Sequence, residues 1–351
     1  MGAAHEIAVV GAGIIGRTHA GALARTPGLR LSALVDPMPA AAGLAAEHGV
    51  PHVPTIEALL ADARPAGVII ASPNETHLSI ALACLKAGVP VLLEKPPANT
   101  LAEVQELVDA AARTGVPVLV GHHRRHNPMI RAARAAIRDG AIGDLVVATV
   151  LCTLKKDDAY FGVPWRVRAG SGGPLHINLV HELDLLRYFF GDVASVTAQV
   201  SHARRGLDVE DSAAVTLRFE TGGLAALTIS DAAEGPWAWE TTSGETTRFP
   251  QHPVQAHFFA GSAGGLSLPD LRLWRHAPGG DWTMPQVAEV LAYSPADPYP
   301  LQLAHFAAVI ERREAPVNDA LDGARTMATL AAIVTAAATG RETAVPVVRA
   351  P

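Results

Sequence analysis

A glycine-rich segment near the N-terminus, GAGIIG at residues 11–16, has the residue types and spacing of a phosphate-binding turn. It directly follows a short apolar run and begins a helical stretch, and Asp36 comes twenty residues after Gly16. Glycines permit a tight turn, the helix N-terminus offers amide donors to a pyrophosphate, and the carboxylate accepts hydrogen bonds from a ribose. The segment therefore predicts a dinucleotide site. Since Asp36 would repel a 2′-phosphate and no Arg follows in residues 37–43, NAD is favoured over NADP.

Two further polar segments stand at the ends of later apolar runs, SPNETH at 72–77 and EKP at 94–96. Ligands of doubly wound sheets bind outside the carboxyl ends of the strands, so both segments are expected to face the same crevice as the glycine turn. The predicted cofactor-binding residues are Gly11, Gly13, Ile14, Ile15, Gly16, Asp36, Ser72, Pro73, Asn74, His77, Glu94, Lys95 and Pro96.

The first 120 residues contain the elements that must position these segments. Short, nearly continuous apolar runs alternate with Ala-rich helical stretches, which is typical of parallel strands covered on both faces by crossover helices. The predicted strands are Ile7–Val10, Leu31–Val35, Gly67–Ala71, Val89–Leu93 and Val116–Val120. The predicted helices are Ile15–Ala24, Ala40–His48, Ile56–Leu60, Thr76–Ala87 and Leu101–Thr114, the last capped by Asn99 or Thr100.

After Gly121 the pattern changes to apolar and polar residues in alternation, which favours a mostly antiparallel sheet with one exposed or partner-covered face. The predicted strands are Leu145–Leu154, Val193–His202, Ala213–Phe219 and Leu224–Ser230, and helices follow at about Pro300–Arg313 and Asp319–Thr339, before Gly340. We predict an α/β protein. An N-terminal Rossmann doubly wound parallel sheet occupies residues 1–122, and a C-terminal α/β domain with a large, mostly antiparallel open sheet occupies residues 123–351.

Composition limits the class of protein. The chain has 351 residues, 49% of them hydrophobic, and a formal charge of −6, which argues against a nucleic-acid partner or a polybasic membrane surface. No apolar run reaches the roughly 18 residues that span a bilayer, and the N-terminus has no basic region of a signal peptide. Two cysteines cannot build a disulfide framework, so a cytoplasmic enzyme is expected.

In combination the motifs resemble the Gfo/Idh/MocA oxidoreductases, the family of glucose-fructose oxidoreductase and inositol dehydrogenase. The resemblance extends over almost the whole chain. It is carried by GAGIIGRTH at 11–19, Asp36, SPNETH at 72–77, EKP at 94–96, GHHRRHNP at 121–128, GGPLHINLVHELDLLRYFFGDV at 172–193 and the segments 303–317 and 339–347.

The resemblance implies hydride transfer between a nicotinamide cofactor and a sugar, sugar acid, cyclitol or related polyol, by a homodimer or homotetramer. It also implies that Lys95 is catalytic and His181 its partner. Removing a hydroxyl proton requires a base near neutral pKa, and a cation stabilises the developing alkoxide. We predict His181 as the base and Lys95 as the group that polarises the oxygen, although either could take the proton first. The alternatives are a solvated strand-end lysine and a core histidine.

The segment after Pro174 predicts a helix that is buried nearly all round, with Asn178, His181 and Asp184 on one face. Buried polar groups need partners, and a hydroxyl-rich substrate would supply them. Asp184 could instead orient His181 or hold the helix to its neighbours. The inositol dehydrogenase pattern has an aspartate four residues before the histidine, where this chain has Ile177, so the substrate contacts are expected to differ.

The preceding segment, residues 155–166, contains aromatic residues and an Arg and predicts a binding loop. Tyr160 and Trp165 could stack on a sugar face or simply pack the loop, and Arg166 could bind a carboxylate or hydroxyls. The resemblance adds His123 and Arg125, which would either contact the substrate or support the residues that do. The predicted substrate-binding residues are thus His123, Arg125, Tyr160, Trp165, Arg166, Asn178, His181 and Asp184.

Other interpretations of the sequence remain. The histidines at 122, 123 and 126 lack a carboxylate at ligand spacing and point apart in an extended segment, so no metal site is expected. A glycoside-cleaving enzyme of the same superfamily would oxidise its sugar only transiently. A non-catalytic dinucleotide sensor would not need the Lys95 and His181 pair. An imine or dihydrodiol reductase is a further possibility.

Overall fold

The structure is a computed structural model that describes residues 4–350. Its first unit is built on a six-stranded sheet in which all paired strands are parallel, in the order β3-β2-β1-β4-β5-β6. The strands are β1 His5–Val10, β2 Leu29–Val35, β3 His52–Val53, β4 Gly67–Ile70, β5 Val91–Leu93 and β6 Val118–Val120. This order is that of a Rossmann dinucleotide-binding fold, so the predicted first sheet is confirmed.

Five helices connect these strands, and all five were expected from the sequence. They are α1 Ile14–Leu23, α2 Ala41–Glu47, α3 Ile56–Asp62, α4 His77–Lys86 and α5 Leu101–Thr114. The N-terminus of α5 shows why local sequence was sufficient, because Thr100 accepts from the backbone N–H of Glu103 while the Glu103 carboxylate accepts from the backbone N–H of Thr100. Gly115 then ends the helix in the left-handed conformation, with φ of 64°.

The second unit is built on a nine-stranded sheet in the order β14-β13-β12-β11-β7-β10-β9-β8-β15. Its strands are β7 Leu145–Thr153, β8 Val193–Ser201, β9 Ser212–Phe219, β10 Leu224–Ser230, β11 His257–Gly261, β12 Gly265–Leu268, β13 Arg272–Arg275, β14 Val287–Val290 and β15 Thr343–Ala344. Its helices include α6 Pro128–Arg138, α7 Val180–Phe190 and the short α8 Trp239–Thr242. Every strand pair is antiparallel except β7 with β10, which confirms the mostly antiparallel sheet.

The chain does not divide at one point. The last two helices are α9 Pro298–Ile310 and α10 Ala320–Thr339, and residues 297–327 belong to the first unit together with the chain up to His126 and from Val348 onward. The sequence-based prediction instead placed all residues from 123 onward in the second domain. The two predicted domains begin at residue 1 and end at residue 351, and both of these residues lie outside the part of the chain that the structure describes. The physical reason is apolar packing, since Leu303 and Phe306 of α9 share a buried core with Ile7 and Ile69 of the parallel sheet.

Within residues 4–350, no helix combines the length and the hydropathy that a membrane span needs.

Candidate functional site

The glycine turn leads from β1 into α1, and each of its three glycines has a different structural environment. Gly11 has φ of 99°, and a Cβ there would lie 2.5 Å from the carbonyl oxygen of Ala71. A Cβ on Gly16 would lie 1.8 Å from the carbonyl oxygen of Gly11, so helix and turn pack at backbone contact. At Gly13 a Cβ would meet no atom within 4 Å, and no side chain caps the helix there. The turn thus leaves the first amides of α1 accessible, which suits a pyrophosphate.

Asp36 directly follows β2, and its carboxylate is held beside this turn. One oxygen, Oδ2, accepts from the backbone N–H of Ala12 at 2.8 Å, and Oδ1 accepts from the N–H of Met38 at 2.8 Å. Each oxygen retains a lone pair for a further donor, such as a ribose hydroxyl. Ile14 is 58% exposed at the start of α1, and Ile15 is half-buried. The structure therefore brings together the glycines, both isoleucines and Asp36 as the sequence predicted.

The segment 72–77 follows β4 and is tied to the segment after β5 by His77. The His77 ring is 1% exposed, with Nδ1 2.8 Å from the carbonyl oxygen of Pro96 and Nε2 2.9 Å from that of Ser72. Burial lowers the pKa of His77, against the opposing effect of the two carbonyls. Ser72 itself is hydrogen-bonded to Thr76 at 2.7 Å, whereas Pro73 is exposed and Asn74 half-buried. His77 thus fixes the two loops that the sequence assigned to the cofactor.

A buried cluster surrounds Glu94, at the end of β5, and contains residues that the sequence interpretation missed. Oε1 of Glu94 lies 2.8 Å from Nε2 of His19, whose side chain on α1 is fully buried. The Tyr299 ring contacts His19 edge-on and stacks on His123 at 4.9 Å. Burial raises the pKa of Glu94, but the His19 hydrogen bond and the charges of His19, His123 and Lys95 outweigh it, so the pKa is lowered. The cluster therefore places an ionised carboxylate beside Lys95.

Lys95 is half-buried directly after Glu94, and its peptide bond to Pro96 is cis. Arg125, predicted as a substrate contact, is 3% exposed in the same unit. Its guanidinium donates to Asp322 at 2.5 Å and to the carbonyl oxygen of Val317 at 2.9 Å. These contacts join the segment after β6 to the start of α10, so Arg125 stabilises the fold of this unit.

In the second unit, the predicted helix after Pro174 begins with a π-helical turn, Leu175–Leu179, and becomes α-helical only at Val180. Glu210 stabilises this start, because its Oε1 accepts from the N–H of Leu175 at 2.9 Å. Asn178 and His181 are each 8% exposed and Asp184 is 1% exposed. His181 and Asp184 keep the α-helical three-residue spacing, but Asn178 lies in the wider turn. Such π-turns occur frequently at functional sites.

A buried hydrogen-bonded contact anchors this helix to the sheet. Glu182 follows His181, and its Oε2 lies 2.6 Å from Nε2 of His257 on β11, with both side chains 1% exposed. The Trp239 ring meets His257 edge-on at 6.0 Å. Nothing in the local sequence pairs Glu182 with a residue 75 positions away. The pair fixes α7, and with it the position of His181 within the second unit.

The predicted binding loop contains a second residue that sequence reasoning did not select, Lys156. Its Nζ donates to Oδ1 of Asn178 at 2.8 Å and lies 4.5 Å from the centroid of the Tyr160 ring. The guanidinium of Arg166 stacks on the same ring at 4.0 Å and donates to the carbonyl oxygen of Tyr160 at 2.9 Å. Trp165 is 38% exposed. The loop therefore gathers Tyr160, Arg166 and Asn178 as predicted, around an unpredicted lysine.

Behind Lys156 lies the buried carboxylate of Asp231. Oδ1 of Asp231 is 3.2 Å from Nε of Arg205, and Oδ2 is 3.9 Å from Nζ of Lys156. Burial raises the pKa of Asp231, against the neighbouring cations, and burial also lowers the pKa of Lys156. Arg205 also donates to the carbonyl oxygen of Lys156 at 2.7 Å, which fixes the start of the loop.

Across residues 4–350, no group of three or more His, Cys, Asp or Glu side chains is arranged to hold a metal ion.

Comparison with known proteins identifies both parts of the chain. Residues 5–122 match the model of the oxidoreductase family with an NAD-binding Rossmann fold, GFO_IDH_MocA, and residues 130–249 match that of the GFO/IDH/MocA C-terminal domain. The chain is 32% identical over 342 residues to 1,5-anhydro-D-fructose reductase of Ensifer adhaerens, covering 95% of this chain and 96% of that protein. It is 28% identical over 340 residues to inositol 2-dehydrogenase of Rhizobium meliloti (strain 1021), covering 95% and 97%.

A solved structure has the same fold over nearly the full length. It is an oxidoreductase from Agrobacterium radiobacter in complex with NAD+, L-tartaric acid and magnesium, with a TM-score of 0.82 at 20% identity, and the match covers 97% of this chain and 98% of that one.

Proposed function

Because the chain belongs to the Gfo/Idh/MocA family of oxidoreductases, we propose that it transfers a hydride between NAD and a secondary hydroxyl of a sugar, sugar acid, cyclitol or related polyol. The observation that carries the cofactor part is the fixed Asp36 carboxylate beside an uncapped helix N-terminus. An anion in that place accepts ribose hydroxyls and opposes a 2′-phosphate, which favours NAD over NADP. The relatives named above, a reductase and a dehydrogenase, act on compounds of this polyhydroxylated kind.

The residues of the first unit hold the cofactor and supply a cation. The amides of the glycine turn bind the pyrophosphate, Asp36 binds the ribose, and the loops joined by His77 bind the remainder. When bound, the nicotinamide supplies the site that accepts or returns the hydride. Lys95 donates to the substrate oxygen and stabilises the negative charge that develops as the proton leaves. The charge of Lys95 is one of the causes that lower the pKa of the adjacent Glu94.

The residues of the second unit bind the substrate and move its proton. His181 accepts the hydroxyl proton, as an imidazole near neutral pKa can do at physiological pH. The buried pair of Glu182 and His257 fixes its helix. Asn178 and Asp184 contact neighbouring oxygens of the substrate, and Tyr160 and Trp165 cover its apolar face. Loss of Lys95 or His181 should therefore stop turnover without removing the cofactor site.

The test is NADH formation from NAD with a panel of aldoses, uronic and aldonic acids, inositols and glycosides. We expect a rate with at least one free polyol or acid, and its loss in Lys95→Met with NADH affinity retained. The control is Lys86→Met, at the exposed C-terminal end of α4. A variant that loses NADH affinity but keeps turnover would refute the role of Lys95. Release of a leaving group from glycosides without net NADH would favour the glycoside-cleaving alternative.

We also propose a homodimer or homotetramer that forms through the open face of the nine-stranded sheet. Val147 and Leu224, paired across β7 and β10, are 48% and 43% exposed, and Phe258 on β11 is 41% exposed. Apolar side chains this exposed on one sheet face suit contact with a second copy. Light scattering on the purified protein tests this, and a monomeric mass would refute it.

A further inference from the structure

The hydrogen bond between Lys156 and Asn178 determines what Asn178 can offer a ligand. An ammonium group has three donors and no acceptor, so the Asn178 atom 2.8 Å from it must be the amide oxygen. One lone pair of this oxygen is thereby engaged by a cation, and the Nδ2 amino group is the part of the side chain that can donate to a ligand. Asn178 therefore acts toward a ligand as a hydrogen-bond donor.

Arg166 adds a second rigid donor to the same place. Its guanidinium carbon lies over the Tyr160 ring, 4.0 Å from the centroid, and the guanidinium donates one hydrogen bond to the Tyr160 carbonyl oxygen. The Nε of Arg166 is buried and makes no hydrogen bond to any residue between 4 and 350. An acceptor atom of a ligand would satisfy this donor.

The burial of Lys156 favours an anion as that ligand. Its side chain is 9% exposed, and the carboxylate of Asp231 is 3.9 Å away, beyond hydrogen-bond distance, and is engaged by Arg205. The charge of Glu240 also acts on Lys156, and Arg205 lies 3.7 Å from Asp158 as well. Burial lowers the pKa of Lys156, which means that folding disfavours its charge. A ligand with negative charge would offset this cost.

We propose that Asn178, Lys156 and Arg166 form a carboxylate-binding subsite, so that the substrate is a sugar acid or related hydroxy acid and not a neutral polyol. The inference rests on the proposed function, because it names the substrate class of that site. A hydroxyl both donates and accepts, whereas a carboxylate only accepts and so matches an array of three donors. Charge-assisted bonds of this kind are about twice as strong as neutral ones.

The test is calorimetric titration of the full chain at saturating NAD with matched pairs of acid and neutral compound. The pairs are D-glucuronate with D-glucose, D-galacturonate with D-galactose, and D-gluconate with D-glucitol. We expect at least one acid to bind at least about tenfold more tightly than its neutral partner, since one charge-assisted hydrogen bond supplies that difference.

Two variants and one control make the test specific. Asn178→Asp is nearly isosteric and keeps an acceptor for Lys156, but it presents a carboxylate to the ligand, so acid binding should fall by about 10- to 100-fold. Lys156→Met should weaken binding of the acid more than binding of its neutral partner, because it removes the cation. Lys155→Met removes the same charge from the adjacent, exposed lysine, which pairs with Glu234, and should change neither.

The outcomes separate the subsite from the proposed function. Acids that bind no better than their neutral partners, absence of acid binding, or unchanged acid binding by Asn178→Asp would each overturn the subsite. Selective acid binding that Asn178→Asp abolishes, without NADH formation, would support the subsite and count against hydride transfer. NADH formation from neutral polyols with no preference for acids would support hydride transfer and count against the subsite.

Discussion

Substituting Asp36 by Asn tests the cofactor assignment, because the structure defines what the substitution removes. Both carboxylate oxygens accept from backbone amides, of Ala12 and Met38, at 2.8 Å. An asparagine has one acceptor atom, so one of these amides loses its partner at a cost of about 1–3 kcal/mol. Bonds to the ribose hydroxyls become neutral and weaken by about 1 kcal/mol. The amide lacks its partner in the free and the NADH-bound protein alike, so this cost lowers stability, and only the weaker ribose bonds lower the affinity for NADH, by about fivefold.

The same change should act in the opposite direction on NADPH. Two unit charges about 4 Å apart repel by about 1 kcal/mol in water and about 4 kcal/mol at an effective dielectric constant of about 20. Removing the Asp36 charge relieves this repulsion of the 2′-phosphate and offsets part or all of the lost contacts. The preference for NADH over NADPH should thus shrink by at least about tenfold.

The assay is calorimetric titration of the parent protein and the variant with NADH and with NADPH. The matched control is Asp62→Asn, which removes one charge from the exposed end of α3 and should change neither affinity. Equal or tighter binding of NADPH by the parent protein would refute the reasoning. So would an equal loss of both affinities in Asp36→Asn, because a charge effect must discriminate between them.

Two other predictions concern the glycine turn and the buried carboxylate. Gly16→Ala should abolish NADH binding and lower the melting temperature, because its Cβ would lie 1.8 Å from the Gly11 carbonyl oxygen. The control is Gly21→Ala in the same helix, where a Cβ meets no atom within 4 Å, and this change should stabilise the folded protein by about 0.5–1 kcal/mol. The lowered pKa of Glu94 means that its carboxylate stabilises the fold above the ordinary value of 4.5, and that this contribution is lost as the pH falls through the folded-state pKa. In Glu94→Gln the melting temperature should therefore fall less steeply than in the parent protein as the pH is lowered below 4.5. An equally steep fall in the variant would contradict a lowered pKa for Glu94.

Much of the fold could be predicted because its signals are local. Parallel strands covered on both faces, such as Ile69 and its neighbours in β4, are continuous apolar runs. The helix that begins at Thr100 carries a capping box in four residues. Strands β12, β13 and β14 have only four residues each, too few to show an alternation, and they were missed. The membership of α9 in the first unit depends on tertiary packing of Phe306, which no local pattern encodes.

Some residues of the candidate site could likewise be predicted from local sequence, and others could not. The glycines and Asp36 could be predicted because their spacing along the chain sets the geometry of one turn. His19 and Lys156 were not selected, because their importance comes from partners distant in sequence, Glu94 and Asn178. The π-helical turn before His181 also has no signature in the composition, since its apolar residues equally suit an α-helix. Arg125 was predicted from the resemblance, and its ion pair with Asp322 could not be read from the local sequence, because the two residues are 197 positions apart.

Direct hydride transfer from a carbinol carbon can be measured by isotope transfer. The compound that the protein oxidises fastest in the panel is prepared with deuterium on the carbinol carbon and incubated with NAD. Mass spectrometry then measures deuterium in the isolated NADH. We predict one deuterium per NADH formed, and no product in Lys95→Met. NADH without deuterium, or oxidised substrate without NADH, would contradict it.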